Sequence, residues 1–212
     1  MLKTKFHDYT DKISRKIGYI FSKITLPPNA WTFFSVILAI AGFISLVHYK
    51  DMLMGFIFFF ISGFFDAVDG AVARVTKSVT KMGGYLDGII DRIVEAFLLI
   101  GLLFLDLPGF FIFGNFIPSY FWITLLLFFG SALTSYSRAY ASQKRVIVSE
   151  RVLDWMPGIL ERTERLIFIG VGMLLYYGNP IFTTYVIALA SILSIITFLQ
   201  RVYFVIKYGV KK

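Results

Sequence analysis

Asp66-Ala67-Val68-Asp69-Gly70-Ala71-Val72-Ala73-Arg74, followed after eight residues by Gly83-Gly84-Tyr85-Leu86-Asp87-Gly88-Ile89-Ile90-Asp91, is the stretch that decides how this chain is read. It sits between apolar runs, so its acids fall on membrane-type helices. On a helix, Asp66, Asp69, Gly70 and Ala73 are at i, i+3, i+4 and i+7 and share one face. Asp87 and Asp91 lie one turn apart on the next helix. Gly70 and Ala73 leave room beside the acids, and Gly83-Gly84, read as part of a short turn, would let the two helices meet closely.

Four carboxylates in apolar surroundings need a partner. Each charge placed within a span costs at least ~2.5–3.5 kcal/mol on insertion scales, and like charges oppose one another's ionisation. A hard divalent cation, or two, resolves this. Carboxylate-only ligation points to Mg²⁺, Mn²⁺ or Ca²⁺ and away from zinc or copper. Ordinary pairing of the acids with Arg74 and Arg92 is the plainer alternative. It accounts poorly for two acid pairs on adjacent helices lined with glycine and alanine.

Working outward, the chain has 212 residues, 58% of them hydrophobic and only 16% charged, with a mean hydropathy of +0.76. A soluble domain would carry roughly 25% charged residues. Several segments approach or exceed the length of a membrane span, and six candidate spans can be read: 31–49, 53–75, 84–105, 119–141, 166–177 with a polar N-terminal extension, and 181–204. Residues 3–23 place Phe6, Ile13, Ile17, Ile20 and Phe21 at helical intervals among basic residues. That is the pattern of an amphipathic helix lying in the headgroup plane. The run lacks the continuous apolar core and the cleavage site of a signal peptide. The expected fold is therefore an all-α integral membrane protein: six transmembrane helices preceded by an N-terminal interfacial helix. It is a single domain over 1–212, with 1–26 interfacial and 27–212 the bundle.

If both termini face the cytoplasm, Lys50 alone of the 21 lysines and arginines falls on the opposite side. The positive-inside rule then gives a multi-pass protein of the cell membrane with its acids near the cytoplasmic side. The net charge of +8 is a topology signal, because the basic residues flank spans; nucleic acid is not an expected partner. There is no cysteine, which excludes disulfides, thiolate metal sites and cysteine nucleophiles. His7 and His48 are too far apart in sequence to suggest a histidine site.

The run Asp66-x2-Asp69-Gly70-x2-Ala73-Arg74-x8-Gly83-x3-Asp87-x3-Asp91 resembles the full signature of the CDP-alcohol phosphotransferase family. The resemblance implies that a hydroxyl attacks the lipid-linked phosphoryl group of a CDP-lipid and releases CMP. It implies a centre of two ions, Mg²⁺ or Mn²⁺, held by Asp66, Asp69, Asp87 and Asp91, with Asp91 also the general base. It further implies a CDP-lipid site formed by Asn29, Thr32, Asp66, Asp69, Gly70, Ala73, Arg74, Thr80, Gly83 and Asp87. For Asn29 and Thr32, helix capping is an equal alternative. Members are commonly homodimers, and the phenylalanine-rich stretches 56–60 and 110–116 would pack against lipid or a partner.

Within the family, Ser135-Tyr136-Ser137-Arg138, Glu161-Arg162-Thr163-Glu164-Arg165 and Gln200-Arg201 are similar to stretches of the phosphatidylinositol-phosphate and archaetidylinositol-phosphate synthases. The implied acceptor is inositol 1-phosphate, its phosphate held by Arg138, Arg162 and Arg201, and the implied donor is CDP-diacylglycerol or CDP-archaeol. Arginine suits phosphate because its planar fork stays charged and bonds bidentately. Ordinary positive-inside flanking is the alternative for each arginine. Glycerol 3-phosphate, also anionic, is the second acceptor. A cation transporter is the alternative from another class; it would need acids near the midplane and broken helices in both halves, whereas all four aspartates fall in one hairpin.

Overall fold

The computed structural model describes residues 14–24, 28–149, 152–153 and 155–209, with the side chains of 28 and 29 outside the described set. The chain is mostly helical. Four segments, Ala30–Val47, Met52–Val75, Ser119–Gln143 and Pro180–Tyr208, are long and apolar enough to cross a membrane, which makes this an integral membrane protein. Chain contacts divide it into two units, Met1–Leu98 and Leu99–Lys212.

In the first unit, helix α1 covers 14–21, α2 Pro28–Val47, α3 Met52–Val75, and α4 Lys81–Leu103 begins there. Asp51 caps α3, its carboxylate accepting from the amides of Leu53 and Met54. Small residues bring α2 and α3 together. A Cβ on Gly55 would strike Leu46 at 2.4 Å, and one on Gly42 would meet the Phe59 ring at 2.9 Å. The Ser62 hydroxyl crosses to the Ser35 carbonyl at 2.7 Å. This is how membrane helices adhere when lipid is as apolar as their side chains.

Of the apolar face expected on the N-terminal segment, Phe6 and Ile13 lie outside the described residues. Ile17 and Phe21 pack against Trp31, Val68 and Val72, while Ile20 is exposed. Gly18 lies so close to α3 that a Cβ there would come within 2.5 Å of the Ala71 carbonyl oxygen. One face of α1 is thus occupied by protein.

The second unit opens with a feature the hydropathy pattern did not announce. The stretch 110–116, expected as a phenylalanine-rich packing face, contributes to an antiparallel hairpin of β1 (Phe110–Ile112) and β2 (Asn115–Ile117). Phe113 and Gly114 both have positive φ, as a two-residue hairpin turn of matching twist requires. A helical run follows: α5 Ser119–Leu125, a π-helical segment Leu126–Leu133, and α6 Thr134–Gln143. Then come α7 Arg162–Leu175 and α8 Pro180–Tyr208.

Helix α8 is the spine of this unit. Thr183, Thr184, Ser191, Ser194, Thr197 and Arg201 recur along it at helical spacing and are all buried. Their hydroxyls reach other elements: Thr183 donates to the Gly172 carbonyl, Thr184 to Pro108 and Ser191 to Trp122. Thr197 accepts the amide of Leu160 at 3.0 Å. In an apolar solvent such bonds tie helices where hydrophobicity alone cannot.

Candidate active site

The acids are held by the facing parts of α3 and α4. Asp66, Asp87 and Asp91 each offer a carboxylate oxygen, and these oxygens lie within 4.8 Å of one another. Two oxygens bound to one cation at roughly 2.1–2.5 Å can be at most about 5 Å apart, so this trio fits a hard divalent ion. The donor set is carboxylate oxygen, the hard ligand such ions favour. Arg92, one residue along α4, approaches Asp91 at 3.3 Å and gives it one positive neighbour.

Asp69 is not one of this trio, though it borders the same cavity as Asp87. Its carboxylate accepts a hydrogen bond from the Thr32 hydroxyl of α2. Thr32 is thereby explained: it orients Asp69, and both line the same cavity. That cavity has a volume of about 610 Å³ and is bounded by Thr32, Asp69, Gly70, Ala73, Arg74, Thr80, Gly83 and Asp87, with Phe33, Val36, Leu86 and Ile90 among its apolar walls. Every residue in the nucleotide-lipid set expected from the signature borders it except Asp66, which belongs to the metal-ligating trio, and Asn29, whose side chain lies outside the described residues.

Two local expectations are corrected. Gly83 and Gly84 belong to the first turn of α4, not to the preceding turn, and they mediate no close helix contact. A Cβ on Gly84 would meet nothing within 4 Å, and one on Gly83 would meet only the Thr80 hydroxyl at 3.0 Å. Their smallness keeps the cavity open. Thr80 caps α4, its hydroxyl accepting the Gly83 amide at 2.9 Å, so the helix N-terminus is aimed at the cavity edge by a residue that also lines it. Arg74 donates from Nε to the Gly70 carbonyl at 2.9 Å, which folds its guanidinium along α3 at the cavity wall.

The three arginines expected to bind the acceptor's phosphate have different environments. Arg138, on α6, is exposed. Arg162 opens α7 and is half-buried. Arg201, far along α8, is buried at 8% exposure; its Nη1 donates to the Thr134 carbonyl at 2.7 Å and its Nη2 lies 3.6 Å from Glu161 Oε1. Arg201 therefore touches the first residue of the helix carrying Arg138 and the residue preceding Arg162. The Thr134 amide bonds back to Phe129 and closes the π segment.

Glu161 and Thr134 carried no expected role in phosphate binding, whereas Arg165 falls three residues after Arg162 in the stretch the resemblance singles out. Arg165 is 2% exposed, and its stem packs where a Gly130 side chain would stand, 3.0 Å from that position. The available signal was the need of any deeply buried guanidinium for an acid, with Glu161 and Glu164 flanking Arg162.

Membrane helices that present a carboxylate trio beside a cavity bordered by Asp69, Asp87 and Arg74 suit a phosphoryl-transfer type of site, in which metal and substrate phosphates share one locus. The family model for CDP-alcohol phosphatidyltransferase matches residues 25–199. An archaetidylinositol phosphate synthase of Pyrococcus horikoshii is 33% identical over 189 residues, covering 89% of this chain and 88% of that protein. Another, of Methanothermobacter thermautotrophicus, is 30% identical over 208 residues, covering 96% and 95%. The crystal structure of Mycobacterium tuberculosis phosphatidylinositol phosphate synthase with CDP-DAG bound shares the fold, with a TM-score of 0.72 at 24% identity over 92% of this chain and 94% of that one. The same enzyme has been crystallised in complex with manganese and citrate. The chain belongs to the CDP-alcohol phosphatidyltransferase family. It is accordingly a membrane transferase of phospholipid biosynthesis.

Proposed function

We propose that this enzyme transfers the phosphatidyl-type group of a CDP-lipid, with archaeal ether-linked CDP-archaeol favoured over CDP-diacylglycerol, to inositol 1-phosphate and releases CMP. The observation that carries the reading is the Asp66–Asp87–Asp91 trio beside the cavity bounded by Asp69, Gly70, Arg74 and Thr80. The names of the archaeal relatives, archaetidylinositol phosphate synthases, support an inositol phosphate as acceptor and an archaetidyl lipid as donor.

In this reading, Asp66, Asp87 and Asp91, joined by Asp69, hold two Mg²⁺ or Mn²⁺ ions. Such ions, when bound, neutralise charge on the pyrophosphate and on departing CMP. The chain's own residues do the rest. Thr32 keeps the Asp69 carboxylate in one orientation. Arg74 and the absent side chain at Gly70 admit the nucleotide end of the donor. Asp91 accepts the proton of the acceptor hydroxyl as the new oxygen–phosphorus bond forms and the bond to CMP breaks. Arg138, Arg162 and Arg201 bind the acceptor's phosphate.

The smallness of Gly70 provides a specific test. A Cβ there would meet only Arg74 Nη2, at 3.6 Å, so Gly70→Ala fits the folded protein. It intrudes on the cavity, and the added carbon costs about 1–3 kcal/mol in a fitted site. The KM for CDP-lipid is expected to rise about tenfold, with thermal stability unchanged; an unaltered KM would remove the nucleotide from this cavity.

The membrane reading is completed by two further spans, α4 and α7, which are short or charged for their role, and by residues 1–26 lying at the interface. Both termini and the active site face the cytoplasm, and 27–212 form one bundle, working as a homodimer in the cell membrane. The lack of cysteine makes the topology directly testable. Lys50→Cys in intact cells is expected to react with a membrane-impermeant maleimide, and Lys144→Cys only after lysis. The reverse pattern would invert the orientation.

The activity itself is tested by CMP release from purified protein with CDP-lipid, Mg²⁺ and either inositol 1-phosphate or glycerol 3-phosphate. Release with inositol 1-phosphate is expected. Release with glycerol 3-phosphate alone would keep the aspartate chemistry and overturn the acceptor.

A further inference from the structure

We infer that Glu161 is a resident counter-ion for Arg201 that reserves the acceptor pocket for a strongly anionic alcohol, being displaced when the acceptor's phosphate arrives. The inference rests on the reading of Arg201 as a phosphate-binding residue and adds a specificity-determining residue to it.

Three observations converge on Glu161. It occupies the N-cap position of α7, yet its side chain makes no capping bond there. Glutamate is too long for the capping geometry that Asp, Asn, Ser and Thr adopt, which leaves its carboxylate available to other partners. The carboxylate is turned to Arg201 instead, with Oε1 3.6 Å from Nη2. The backbone leading to it is also anchored. The Leu160 amide donates to the Thr197 hydroxyl, one turn before Arg201 on α8. Gly158 lies so close beneath that a Cβ would meet Thr197 Cγ2 at 3.1 Å and Glu161 Cγ at 3.2 Å. Finally, the two partners differ in exposure. The Arg201 side chain is 10% exposed and that of Glu161 53%.

This asymmetry gives the pair a direction. A buried guanidinium needs a compensating charge at all times, and the fixed loop supplies one when no substrate is bound. The half-exposed carboxylate can rotate into water cheaply, whereas Arg201 is held by the Thr134 carbonyl at 2.7 Å. An arriving phosphate, with more charge and more acceptor oxygens than a carboxylate, takes over the Nη2 edge. A polyol without phosphate has nothing with which to displace Glu161.

The test uses the full-length enzyme with saturating CDP-lipid and Mg²⁺, and inorganic phosphate as a competitor of the acceptor. Glu161→Gln is expected to lower both the phosphate inhibition constant and the acceptor KM by about threefold or more, the scale of one unit charge removed beside an anion in a partly solvated site. The KM for CDP-lipid stays unchanged. Glu164→Gln, an equal charge change on the exposed side of the same first turn, is the control and leaves all three constants unchanged. A gain in affinity is not what structural damage produces. The inference is overturned if Glu161→Gln raises or leaves unaltered the inhibition constant, or if Glu164→Gln lowers it equally. If phosphate competes with the wild type but not with Arg201→Gln, the acceptor-pocket reading stands whichever way Glu161→Gln falls. If phosphate fails to compete with the wild type at all, that reading fails and this inference with it.

Discussion

Asp87→Asn is expected to lower turnover at least about a thousandfold, corresponding to ~4 kcal/mol of lost transition-state stabilisation. Asp87 is one of three carboxylates whose oxygens gather within 4.8 Å, and it also borders the cavity. Asparagine keeps the shape and the helix but surrenders the charge that makes a hard cation bind there. The structural consequence has the opposite sign. Three neighbouring carboxylates repel one another when no ion is present, so in EDTA the variant is expected to melt at or above the wild-type temperature. The rise in melting temperature that Mg²⁺ gives the wild type, a mass-action effect, should be greatly reduced in the variant. Calorimetry with and without Mg²⁺, together with CMP release, measures both signs on one preparation. Near-wild-type activity in Asp87→Asn would sink the metal assignment. An EDTA melting temperature well below wild type would assign Asp87 a structural role instead.

Arg201→Ala is expected to raise the acceptor KM about 30-fold or more, from the ~2–5 kcal/mol that truncating one member of a buried charged pair costs. The CDP-lipid KM should stay within about threefold of wild type, since the phosphate-binding role belongs to the acceptor alone and one charge contact is worth roughly 1 kcal/mol in water-like surroundings. Some stability is lost as well, because the Thr134 carbonyl keeps the Ser137 hydroxyl at 2.8 Å but loses the guanidinium, and a hydrogen bond to a charged group contributes about 1.5–3 kcal/mol. Arg201→Lys separates the two effects. It retains the charge but not the fork that spans Thr134 and Glu161, so stability should recover more fully than the acceptor KM does. Equal increases in both substrate constants would make Arg201 a structural residue.

The two halves of the chain differed in how much their residues disclosed. The aspartate site was legible because its information is local. Asp66, Asp69, Gly70 and Ala73 share a helical face by spacing alone, and four acids among apolar residues leave few chemistries open. Family resemblance then supplied the residues that border the cavity, Thr32 and Thr80 among them. The roles of the glycines were less legible. Gly83 and Gly84 look like a turn in sequence, but Thr80 caps the helix three residues earlier, and a cap is decided by which hydroxyl reaches which amide.

Hydropathy placed membrane-length segments at 31–49, 53–75, 119–141 and 181–204, and the structure has helices at each, with ends shifted by a few residues. Composition suffices for this because burial of a helix in lipid depends on average apolarity along its length. The hairpin at Phe110–Ile117 and the π segment at Leu126–Leu133 were not legible. Both depend on backbone hydrogen bonding to specific neighbours, and an apolar run reads alike in α, π or strand geometry.

By itself, then, the sequence determined that this is a membrane protein with a cluster of aspartates able to hold a metal ion, because spacing on a helix and the cost of charge in lipid are properties of a segment. Only the tertiary structure decided that Asp69 is held by Thr32 and is not one of the trio of Asp66, Asp87 and Asp91. It alone decided that Arg201 is the buried one of the three arginines expected to bind phosphate, fastened between Thr134 and Glu161. Those pairings join residues 37, 67 and 40 positions apart, and which side chains meet over such distances is set by how helices pack, not by their spacing within one helix.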